Sequence, residues 1–122
     1  MEAGYKYSFE KLQVWQIAKS FTVSIYKMTE KFPDVEKFGL TSQLRRASVS
    51  ICSNIAEGNS RISNKERAYF FQIALSSTME VLNQLIIAKE LEFLKEEELK
   101  ELRNSIDEIS NKLNALHKKQ LN

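Results

Sequence analysis

Apolar residues return at steps of three and four through four stretches of the chain, separated by short polar breaks. The last stretch is the simplest: Leu99, Leu102, Ile106, Ile109, Leu113 and Leu116 keep that spacing with polar residues elsewhere. Such a pattern lines one side of an α-helix and predicts a helix over about 95–120 that needs one partner surface. The first stretch, about 9–32, carries two stripes. Val14, Phe21, Ile25, Met28 and Phe32 share one face, while Leu12, Trp15, Val23 and Tyr26 lie nearly opposite at about 100° per residue. Ser8 is read as its N-cap, and Pro33 ends it by disfavouring helix at the preceding residue.

A third helix, about 63–91, opens on Ser63-Asn-Lys-Glu66, a capping box in which each side chain can satisfy a free backbone donor. Its apolar surface is broad: Phe70, Ile73, Ala74, Val81, Leu85 and Ala88 on one face, with Phe71, Leu75, Leu82 and Ile86 beside it. The break that follows, Glu92 to Lys95, has neither Gly nor Pro. It is inferred from a shift in apolar register and from Glu96, Glu97 and Glu98, which suit the positive start of a new helix; one longer helix is the alternative.

The second helix, about 41–57, has few bulky residues. Leu40, Leu44, Ile51 and Ile55 form its core stripe, Arg45, Val49, Cys52 and Ala56 a second ridge, and Arg46, Ser50, Ser53 and Glu57 are expected to point outward. Small side chains let another backbone approach, and their hydroxyls can return to the preceding helical turn. Gly58 is read as a left-handed cap.

Short connectors between long helices make neighbours antiparallel, so the expected fold is all-α, an up-down-up-down four-helix bundle forming one domain over 1–122. With three Gly and one Pro, the chain has little material for the turns of a many-stranded fold. Three of the helices carry more apolar circumference than one bundle core covers. Self-association is expected, through Leu12, Trp15, Val23, Tyr26, Val49, Cys52 and Ala56, with roughly 800 Å² buried per subunit in a standard interface.

The longest uncharged run, Ala68 to Met79, is 12 residues, short of the roughly 20 that span a membrane. The first residues lack a secretory apolar segment. Cys52 stands alone and fits a reducing compartment, so a cytoplasmic setting is expected. The net charge of +2 is small but uneven. Lys37 to Arg67 carries +4, Glu80 to Glu108 carries −5, and the tail from Ile109 carries +3 through Lys112, Lys118 and Lys119.

Chemistry is sparse. His117 is the single histidine, so neither a Ser-His-Asp set nor paired Glu-x-x-His metal ligands can be built, and one Cys with one His does not make a zinc site. Gly4, Gly39 and Gly58 stand apart and form no phosphate loop. No catalysis, cofactor or metal is expected. The remaining candidate is basic: Arg45, Arg46, Arg61, Lys65 and Arg67 would bind phosphates if they converged, with affinity falling as salt rises.

Phe9-Glu-Lys-Leu-Gln-Val-Trp15, Phe32 to Ala47 with its Gln-Leu-Arg-Arg-Ala, Ser50 to Gly58 with Asn-Ile-Ala-Glu-Gly, and Phe70 to Ala74 together resemble the bacterial four-helix-bundle proteins encoded in intervening sequences of 23S rRNA genes. The resemblance covers nearly the whole chain and extends to the accessory variability proteins of diversity-generating retroelements. It implies a homopentamer of four-helix subunits and, in the retroelement branch, a basic surface that engages nucleic acid and a reverse transcriptase. Arg45 and Arg46 match that family's paired arginines; Asn54, Glu57 and Gly58 match its second block. The weakly basic total charge departs from the retroelement branch, and for the intervening-sequence branch the resemblance implies no established activity. Two functions follow as expectations: a non-catalytic oligomer that binds RNA, DNA or a nucleic-acid enzyme, or a self-associating protein scaffold without nucleic-acid binding.

Overall fold

The computed structural model describes residues 4–122. After a short 3-10 turn at Ser8–Lys11, four helices follow: α1 (Gln13–Thr29), α2 (Leu40–Ser60), α3 (Asn64–Glu90) and α4 (Glu96–Leu121), with a second 3-10 turn, Asp34–Glu36, between α1 and α2. They form the all-α bundle expected, each helix packed on the next and α1 closing against α4. Phe21 and Ile25 from α1, Leu44, Ile51 and Ile55 from α2, Phe71, Val81 and Leu85 from α3, and Ile106, Ile109 and Leu113 from α4 meet in one buried core. These are the residues that the three-and-four spacing brings to one side of each helix.

The first helix is shorter than predicted at both ends. Ser8 is not its cap. Glu10 accepts the Tyr7 N–H at 2.8 Å and closes a separate turn, and Leu12, with ψ 122°, breaks the helix before Gln13. Phe9 is thereby folded back onto Trp15, ring edge to ring face at 5.0 Å. At the far end the helix stops at Thr29 instead of Phe32. Phe32 turns into the core and meets Phe93 of the α3–α4 connector, ring centroids 5.4 Å apart.

That connector supplies the break inferred without Gly or Pro. Phe93 N–H donates to Ala88 O and Glu92 N–H to Lys89 O, both at 2.9 Å, and Glu92 takes the left-handed conformation, φ 64°. This is the paired hydrogen-bond closure of a helix end, with a carboxylate residue where glycine is usual. The new helix then starts as its acids suggested, Glu98 accepting the Lys95 N–H at 2.8 Å. At the start of α3, Ser63 accepts the Glu66 N–H at 3.3 Å, the first half of the expected capping box.

Gly58 does not cap α2. The helix runs through it to Ser60, and no described glycine has positive φ. What glycine provides here is room: a Cβ would lie 2.9 Å from the Phe71 ring and 3.0 Å from Phe70 Cβ. A helix-interior Gly→Ala in open space gains up to ~1 kcal/mol. Gly58→Ala is instead expected to lose about 1–3 kcal/mol through overpacking, read as a lower midpoint in thermal denaturation. A raised midpoint would show that the two rings give way freely.

The small residues of α2 serve the same closeness. Ser48, fully buried, returns its hydroxyl to Leu44 O at 2.8 Å, as anticipated. Ser50 does not face solvent as predicted; its Oγ lies 2.9 Å from Ser77 Oγ of α3, and Asn54 donates to Ser50 O at 2.8 Å. α3 is the one described helix long and apolar enough to cross a membrane by composition, a stretch the uncharged-run criterion missed because Glu80 interrupts it. Its position between α2 and α4 accounts for part of that character, with Phe71, Ala74, Val81, Leu85 and Ala88 in the core.

Candidate nucleic-acid interface

The five basic candidates do not converge. Arg45 and Arg46 sit in the second turn of α2, whereas Arg61, Lys65 and Arg67 lie beyond its other end. Fifteen residues separate Arg46 from Arg61, roughly 22 Å along a helix. Three of the five are also occupied. Arg45 donates from Nε to Thr29 Oγ1 at 2.9 Å and from NH2 to Tyr26 O at 3.1 Å, with its guanidinium 4.7 Å from the Tyr26 ring centre. A cation placed on the last carbonyls of α1 complements the negative end of that helix. Arg45 thus serves a helix terminus of its own subunit.

Arg61 pairs with Glu57 at 2.8 Å, one helical turn back, and stacks over Phe70 at 4.8 Å. Arg67 is a clasp. It donates to Asn59 O at 3.0 Å, Arg61 O at 3.1 Å and Gln120 Oε1 at 3.2 Å, so one side chain ties the end of α2 and the start of α3 to the last turn of α4. Arg46 and Lys65 alone of the five are exposed and form no ion pair with a described residue.

The same end of the bundle gathers further contacts. His117 Nδ1 lies 3.0 Å from Ala68 O, joining α4 to α3, and Asn59 donates to Ser8 Oγ at 2.9 Å, joining α2 to the first turn. His117 therefore serves as a strut between helices. Lys6, Lys118 and Lys119 are exposed around these contacts, as are Tyr5, Tyr7 and Tyr69. The +3 of the tail is plain in the sequence, but its nearness to the α2–α3 turn, some fifty residues away, depends on the topology. Among the described residues no group of three or more His, Cys, Asp or Glu is placed to hold a metal ion.

The residues predicted for self-association are arranged more coherently. α1 and α2 run side by side, joined where Thr22 Oγ1 donates to Ser48 O at 3.1 Å and lies 3.4 Å from Cys52 Sγ. Val23, Tyr26 and Val49 flank this seam with 48%, 40% and 41% of their surfaces exposed. Trp15, Cys52 and Ala56 are half-buried, and burial pushes the Cys52 thiol above its ordinary range. Leu12, outside the helix, turns away to line a groove with Lys112 and Leu116 of α4. A second apolar strip, not among the predicted contacts apart from the breadth noted for α3, consists of Met79, Ile86 and Ile87, exposed by 45%, 39% and 43%.

The family model described as 23S rRNA-intervening sequence protein matches residues 10–115. A solved structure from Bacteroides thetaiotaomicron, a protein of unknown function from the S23 ribosomal protein family, has 25% sequence identity and a TM-score of 0.77, covering 86% of this chain and 98% of that one. No curated protein matches.

Proposed function

Because the chain belongs to the 23S rRNA-intervening sequence protein family, we propose that it is a non-catalytic helical module that assembles with copies of itself and presents a basic surface to nucleic acid, or to a protein that works on nucleic acid. The observation that carries the reading is the pair of apolar strips left in water: Val23, Tyr26 and Val49 along the α1–α2 seam, and Met79, Ile86 and Ile87 on α3. A closed ring with an odd number of copies needs two different patches on each subunit, one meeting the other. Two such patches support the pentamer implied by the resemblance. A cytoplasmic setting belongs to the same proposal.

A second reading is a protein scaffold without nucleic-acid binding. It is favoured by the internal engagement of Arg45, Arg61 and Arg67, each of which already spends part of its charge or donor set on the chain's own groups. Light scattering and a titration with structured RNA separate the readings. The expected particle at micromolar concentration is about five times 14.2 kDa, binding RNA at low salt and releasing it as salt rises. A stable 14.2 kDa particle rejects assembly; absence of RNA binding at low salt leaves the scaffold.

A further inference from the structure

We propose that the end of the bundle where the α2–α3 turn, the Ser8–Lys11 turn and the last turn of α4 meet binds single-stranded nucleic acid, its lysines holding phosphates and its tyrosines stacking bases. This rests on the nucleic-acid reading above and relocates its site. Arg67, Asn59 and His117 bind these segments into one surface through hydrogen bonds of 2.9–3.2 Å. Arg67 is taken up in building that surface, and Arg61 is paired with Glu57. The lysines are not: Lys6, Lys65, Lys118 and Lys119 are all exposed, and none forms an ion pair with a described residue. Of the three described side-chain carboxylates here, Glu10 accepts the Tyr7 N–H and Glu57 holds Arg61, leaving Glu66.

The opposite end has the reverse character. Asp34, Glu36, Glu90, Glu92, Glu96 and Glu97 cluster around its two connectors, against Lys31, Lys37, Lys89 and Lys95. Lys89 is drawn into pairs with Glu90 and Glu96. The 27 residues of α3 hold the two ends roughly 40 Å apart. That is about five Debye lengths at physiological salt, so a polyanion near the basic end feels little of the acidic one.

Aromatic rings decide the class of polyanion. Tyr5, Tyr7 and Tyr69 are 81%, 64% and 61% exposed. Tyr5 and Tyr7 stand edge to face at 5.1 Å, and Tyr69 is braced in the same way by Phe70 at 5.3 Å. In a duplex the bases are already stacked on one another and cannot use these rings; in a single strand they can. Lysines neutralise phosphates as point charges without reading sequence, so the strand would be held with little preference for its bases.

The test is fluorescence anisotropy with a labelled 20-nucleotide oligo-U, a matched RNA duplex and a polyglutamate peptide, each over a salt series. The single strand is expected to bind best, with log affinity falling against log salt at a slope of about −3 for four neutralised phosphates. Lys65→Glu/Lys118→Glu/Lys119→Glu should weaken binding at least about tenfold and flatten that slope. Tyr7→Ala/Tyr69→Ala should weaken it about tenfold while leaving the slope unchanged. Arg46→Glu, at the other end of α2, should have no effect. All substituted residues are exposed, and circular dichroism verifies that each variant folds. Undiminished binding by the lysine variant, loss through Arg46→Glu, or equal binding of duplex or polyglutamate overturns this assignment. Failure of the unaltered protein to bind any nucleic acid rejects the broader reading with it.

Discussion

An Ile55→Asp chain is expected to be recovered unfolded, with the helical circular-dichroism signal and the cooperative melt both lost. Ile55 has no exposed surface and sits where α2 crosses the core. Truncating such a side chain alone costs about 2–5 kcal/mol. A carboxylate at the same place either stays ionised without a partner or takes up a proton and remains buried and poorly hydrogen-bonded, several kcal/mol more in either form. The sum approaches the whole stability of a small domain, about 5–15 kcal/mol. Ile55→Val, which removes one methylene, should stay folded and lose about 0.5–1.5 kcal/mol. A native spectrum and sharp melt for Ile55→Asp would mean that the core tolerates water at this level.

Helix spacing carried the fold because core residues at i, i+3 and i+4 are a local property of the chain; all four helices could be read from it, and their antiparallel order from the short connectors. What depended on neighbours could not. Gly58 looks like a helix stop when judged by its backbone freedom alone; the rings of Phe70 and Phe71 that require it belong to the next helix. Ser50 looks outward-facing until Ser77 is brought against it. The break at Leu12 comes from Glu10 closing a turn on Tyr7 N–H, a choice that helix propensity does not distinguish from an N-terminal acid inside the helix.

The candidate basic site was the least legible part, for a reason tied to side-chain chemistry. Formal charge is countable in the sequence, but whether a cation is free is set by what surrounds it. Arg45, Arg61 and Arg67 have forked donors that suit carbonyls and carboxylates: Arg45 and Arg67 brace one helix against another, and Arg61 pairs one turn back with Glu57 at the end of α2. Lysines Lys118 and Lys119, counted merely as a basic tail, stand beside Arg67 because Gln120 is its partner. The exposure of the apolar candidates was easier to read, since exposure on a helix follows directly from its wheel. Val23 and Tyr26 are exposed where the second stripe of α1 places them, and Val49 where the second ridge of α2 does, while Leu12 lies outside the helix that the stripe assumed.

A Val23→Asp/Val49→Asp chain is expected to remain folded and to run as a single 14.2 kDa particle in light scattering at micromolar concentration. In the lone subunit both positions are close to half exposed, so the new carboxylates can face water and cost the fold little. In an assembly sealed along the α1–α2 seam, both would lie in the contact, and every subunit would bring two. Burying them unpaired costs several kcal/mol each, enough to cancel what a standard interface yields after its entropy losses. Tyr26 is best left in place, because its ring and carbonyl hold Arg45 and its loss would unsettle the end of α1. The contrast with Ile55→Asp is the informative feature: one charge inside the bundle abolishes folding, whereas two charges on its flank abolish assembly alone. If the double variant keeps the mass of the unaltered protein, the seam is not a contact between copies.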